Sequence, residues 1–140
     1  MAIGEPDRFT HVILEALHVD REKPRSRAFF TMMAEAPDDF GPRVTEKLAA
    51  EHGDTWRMPI QADGRVWLEL ATTPGTLFDV HALRSPTLVI TGENDPRREP
   101  GELAAFGDRV VVIPGGAHAP HSERVVAART ASVASHFLQR

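Results

Sequence analysis

Apolar residues recur along this chain in two rhythms, and the change of rhythm divides it. From Glu5 to His18 the positions Phe9, Val12, Ile13, Ala16 and Leu17 follow spacings of three and four, with Pro6 near the start, which predicts an amphipathic helix. Phe29, Phe30, Met32 and Met33 predict a second, short apolar helix ending before Pro37. Pro42 opens a third, with Val44, Leu48 and Ala49 on one side and Gly53 past its end. The stretch 56–62 reads as irregular. Val66, Trp67, Leu70 and Ala71 then carry helical spacing, with a strand over 65–70 as the competing reading because so short a run fits either period.

Beyond residue 80 the rhythm shortens. Thr87 to Thr91 and Val110 to Ile113 are β-branched runs too short for free-standing helices, each closed by Gly or Pro, and they predict two buried strands. The segment from Asp95 to Arg109 has the length of a helical crossover, which makes the strands parallel with their C-terminal ends on one edge. Val126, Val133 and Phe137, beside Ala127, Ala134 and Leu138, predict a last helix, started by Glu123, that lays one face on the sheet. The division falls near His81: a helical region over 1–80 and an α/β region over 81–140.

Composition narrows the possible partners. A 140-residue chain buries roughly two-thirds of its unfolded surface if it folds alone. Its net charge of -4, with acids and bases interleaved, offers no basic stripe to nucleic acid and no cluster to a membrane surface. No apolar run approaches the length of a membrane span, and the first residues lack a basic then apolar leader, so the expectation is a soluble, cytoplasmic protein. The absence of cysteine removes disulfides, thiolate metal sites and thiol nucleophiles.

The candidate chemistry lies just past the two strands. Open α/β sheets place their sites at the C-terminal edge, where Asp95 and His118 arrive on loops as an acid and a base. In a plainer reading Asp95 caps a turn and His118 is an exposed loop residue. His118, His121 and Glu123, with Asp95, also form a set that can bind a divalent metal, although Pro120 interrupts it. Arg97, Arg98 and Glu99 read as a solvated turn or as a face for an acidic substrate. Phe29, Phe30, Met32 and Met33 read as packing or as the lining of an acyl pocket.

The last 60 residues carry a resemblance. LRSPTLVITGENDP resembles the strand and loop bearing the triad acid of an α/β-hydrolase, and VVVIPGGAHAPHSE resembles the loop bearing its triad histidine. The resemblance implies a catalytic role for Asp95 and His118, a carboxylic ester or related acyl compound as substrate, and no cofactor. Residues 1–80 then take the place of the helical cap or lid inserted before the acid strand, with MAIGEP as the tail of the preceding strand.

One part of that pattern is missing from the sequence. Ser26, Ser85, Ser122, Ser132 and Ser135 are the serines, and none sits in a Gly-x-Ser-x-Gly elbow. Two functions follow as expectations. In the first, the chain is the C-terminal part of a serine hydrolase whose nucleophile comes from upstream sequence or from another chain. In the second, it is a non-catalytic hydrolase segment serving as an interaction module. Two strands with open edges also imply a homo-oligomer or a complementing N-terminal half.

Overall fold

A computed structural model describes residues 2–139. Two compact units emerge: the residues up to Val19 together with those from Thr76 onward, and Asp20–Gly75. The first is a mixed α/β unit built on three parallel strands, β1 (Val12–Glu15), β2 (Thr87–Gly92) and β3 (Val110–Ile113), in the order β1-β2-β3. Val12 pairs with Thr87, and Val89 with Val110. All three strands therefore end on one edge, at Glu15, Gly92 and Ile113.

Both faces of β2 are covered, which is why its centre, Leu88 to Ile90, is apolar without alternation. Val89 packs with Val19, Val80, Leu103 and Phe106 on one side. On the other, Leu88, Ile90 and Ile113 meet Val126, and Val133, Ala134 and Phe137 of the final helix pack against them.

The first element departs from expectation. The helix expected over 5–18 is absent; a short 3-10 turn, Pro6–Arg8, precedes strand β1. The physical reason lies in two-sided burial: Ile13 faces one core and Leu14 the other, so the strand shows contiguous apolar residues that also satisfy a helical template. Pairing with β2 decides between the two, beginning with the Val12 amide on the Pro86 carbonyl at 2.9 Å. Ala16, at φ 53, then turns the chain off the sheet. The sheet accordingly has three strands where two were expected, and the helical region expected over 1–80 contracts to Asp20–Gly75. MAIGEP holds a turn at 2–4 instead of a strand tail, and Met1 lies outside the described residues.

The crossover is also different. Between β2 and β3 there is no α-helix; turns lead to a 3-10 segment, Ala104–Arg109, kinked at Gly107. Pro96 and Pro100 remove amide donors, and Gly101 and Gly107 adopt positive φ, so helical hydrogen bonding cannot propagate.

The second unit contains α1 (Arg27–Glu35), α2 (Pro42–His52) and α3 (Arg57–Leu70). Helix α3 starts in the stretch expected to be irregular. Pro59 sits in its first turn, where the missing N–H has no intrahelical acceptor to lose. Phe30 stacks on Trp67 with ring centroids 5.2 Å apart. Gly64 lets α1 and α3 approach closely, since a methyl there would stand 2.7 Å from the Ala34 nitrogen and 2.8 Å from the Phe30 oxygen. In the first unit the last helix, α4 (Ala127–Leu138), begins four residues beyond Glu123.

Candidate functional site

The C-terminal edge of the sheet carries the site. The turn after β2 and the turn after β3 are joined by backbone hydrogen bonds: Glu93 N–H to the Ile113 carbonyl at 3.0 Å, and Asn94 N–H to the Gly116 carbonyl at 2.8 Å. The Glu93 carboxylate adds a third link by accepting from the Gly115 amide at 2.9 Å. Gly115 makes the turn possible with φ 74. Asp95 and His118 stand just beyond these links.

The structure brings them together. His118 Nδ1 lies 3.1 Å from both carboxylate oxygens of Asp95. The Asp95 side chain is only 5% exposed and that of His118 25%. Asp95 Oδ1 also accepts from the Arg97 amide at 2.9 Å, a second tie on the carboxylate. Burial holds the Arg97 guanidinium below the usual arginine value, while the Asp95 charge opposes that shift.

A carboxylate offers only acceptors, so this contact places the imidazole proton on Nδ1 and leaves the Nε2 lone pair available. The pair can orient the ring, take a proton at Nε2 and stabilise the resulting imidazolium. His118 also stacks on His18, with centroids 5.6 Å apart and planes inclined by 23°.

The remaining sequence candidates separate. His121 Nδ1 pairs with Glu15 at 3.0 Å. Glu123 accepts from the Ala117 and Ala119 amides. Among the described residues no three such side chains converge as a metal site. Glu123 is likewise not the opening residue of α4. Phe29 and Phe30 are engaged in ring contacts within the helical unit, with Phe40 and Trp67. A groove of about 620 Å³ lined by Thr87, Leu88, Arg109, Val133 and Phe137 belongs to the opposite end of the strands from the dyad.

Glu15 and His18 were not singled out from sequence. Both lie in the segment whose pattern predicts a helix. Their signal is positional: Glu15 closes a parallel strand and His18 follows three residues later, a signal that appears only once β1 is identified as a strand.

No protein-family model and no curated protein matches the sequence. Among solved structures the chain is similar to NosK from Streptomyces actuosus, with a TM-score of 0.68 and 27% sequence identity. The similarity covers 99% of this chain and 61% of that one.

Proposed function

We propose that this chain is the C-terminal part of an α/β-hydrolase that acts in the cytoplasm on a carboxylic ester or related acyl compound, with Asp95 and His118 as its acid and base. The observation that carries the reading is the contact of His118 Nδ1 with both Asp95 oxygens, at 3.1 Å, on the C-terminal edge of a parallel sheet. A buried carboxylate that also accepts the Arg97 amide is held ready to orient a ring, and the partly open His118 leaves Nε2 for a proton. The resemblance of both loops to the acid and histidine loops of the family adds support.

In the proposed reaction a serine from an upstream segment or a second chain attacks the acyl carbon. His118 Nε2 takes the hydroxyl proton and returns it to the departing alkoxide, and water then releases the acid by the same route. Asp95 stays ionised throughout and stabilises the transient imidazolium. In this reading Asp20–Gly75, which precedes the acid strand in the sequence, serves as the cap.

The test joins this chain to the in-frame coding segment upstream and treats the product with a fluorophosphonate, which labels only an activated serine. Stoichiometric labelling that disappears in His118→Ala is expected. An upstream segment without Gly-x-Ser-x-Gly, together with no labelling, would favour a non-catalytic interaction module instead.

A further inference from the structure

Two backbone amides bracket His118, and one side chain takes both. The Ala117 amide donates to Glu123 Oε2 at 2.8 Å, and the Ala119 amide donates to Glu123 Oε1 at 3.1 Å. These amides belong to an irregular loop in which no ladder or helix is available to them, so a side-chain acceptor decides the loop's shape. A second tie follows: the His121 amide donates to Glu15 Oε1 at 2.8 Å, which anchors the far end of the loop to β1.

The His118 ring is therefore held at Nδ1 by Asp95, against one face by His18, and through the flanking Ala117 and Ala119 amides by Glu123. We propose that Glu123 is a positioning residue for His118, setting the angle at which Nδ1 meets Asp95 and so the direction in which Nε2 projects. This rests on the reading of His118 as the proton carrier. Glu123 acts through the loop: its two oxygens accept from the Ala117 and Ala119 amides. Both oxygens are needed. Gln keeps one acceptor and turns an NH2 group toward the other amide, whereas Ala keeps neither.

The experiment is nitrogen-15 NMR of the histidine side chains in the 140-residue chain, comparing wild type with E123Q and E123A. In the wild type His118 is expected as the Nδ1–H tautomer, with a far-downfield proton shared with Asp95. In E123A that proton signal is expected to be lost and the tautomers to mix, with E123Q intermediate. His121, tied to Glu15, should keep its signature in both variants. A His118 tautomer that is unchanged in both variants overturns the proposal. Should E123A fail to fold, seen as loss of the His121 signature and of amide dispersion, E123Q decides alone: a change confined to His118 supports the proposal, and none overturns it.

None of this requires turnover. A joined protein that hydrolyses nothing, while His118 still depends on Glu123, defeats the hydrolase reading and leaves the positioning role standing. A joined protein that needs His118 but loses less than about tenfold in kcat on E123A, where even small misplacement costs up to about a hundredfold, overturns the positioning role alone.

Discussion

Gly92 and Ala117 are in direct backbone contact: a methyl group on Gly92 would overlap the Ala117 carbonyl oxygen. The end of β2 is thereby pressed against the loop that carries His118, and the neighbouring Gly116 also packs closely, since a methyl there would stand 3.3 Å from the Gly92 Cα. The reach between Asp95 and His118 depends on this closeness. Neither obstacle is a flexible side-chain tip, so the loop itself must move. Gly92→Ala is expected to destabilise the protein by about 2–3 kcal/mol, as overpacking does, and to separate the two side chains. Denaturant unfolding measures the first effect, and loss of the His118 Nδ1 proton signal the second. An alanine variant with unchanged midpoint and signal would contradict it.

Asp95 fixes the tautomer, so removing its charge should cost more than a hydrogen bond. Asp95→Asn retains the volume but presents an NH2 group to Nδ1, which favours the other tautomer. In the joined protein kcat is expected to fall about ten-thousandfold, with KM little changed. A loss below about tenfold would show that Asp95 has only a structural role.

Much of the architecture was legible in the sequence, and the failures have a common cause. Strands β2 and β3 were readable because β-branched runs bounded by Pro and Gly have few other solutions. Asp95 and His118 were readable because each follows such a run directly. Strand β1 was not, since Ile13 and Leu14 are partly buried on opposite faces and their spacing also fits a helix. That error hid Glu15 and His18 as neighbours of the site. Glu123 was read for its charge near a helix start, whereas its role arises from two loop amides that only the folded chain brings to it. The irregular crossover was foreshadowed by Pro96, Pro100, Gly101 and Gly107, whose combined effect outweighs the segment's suitable length.

Association is the expected behaviour of the isolated chain. Among the described residues β1 and β3 each have a single neighbour, β2, and Val112 on β3 is 45% exposed. Edge strands without a partner pair with other chains. Sedimentation over a range of loading concentrations should show concentration-dependent association. A concentration-independent monomer with one sharp calorimetric transition would contradict it.

The helical unit supplies a pH-dependent contribution through Asp38 and Arg57. Hydrogen bonds from the Arg57 guanidinium, the shortest at 2.6 Å, hold the Asp38 carboxyl below its ordinary value of 3.8. The same contact raises the Arg57 value. With the folded value below the unfolded one, the unfolded state binds more protons between them. The contribution is therefore complete above pH 3.8 and is lost as pH falls through the folded value. The pair is exposed, so the effect is small. Asp38→Asn should lower the melting temperature slightly at neutral pH, and the gap from wild type should narrow in acid. A gap that widens in acid would contradict the assignment.

The 140-residue chain has no elbow serine, and a histidine acting alone on water supplies only about a hundred- to ten-thousandfold. It should therefore show no appreciable turnover of p-nitrophenyl acetate. Bare-chain hydrolysis that His118→Ala removes would show that the missing nucleophile is not limiting.

The most direct measurement of the role assigned to Asp95 and His118 is the rate of p-nitrophenyl acetate hydrolysis by this chain joined to an upstream segment bearing Gly-x-Ser-x-Gly, with and without His118→Ala. The expected result is steady turnover in the joined protein and a fall to background in the variant. Turnover that survives the loss of His118, or a correctly folded joined protein that releases no nitrophenol, would contradict the account.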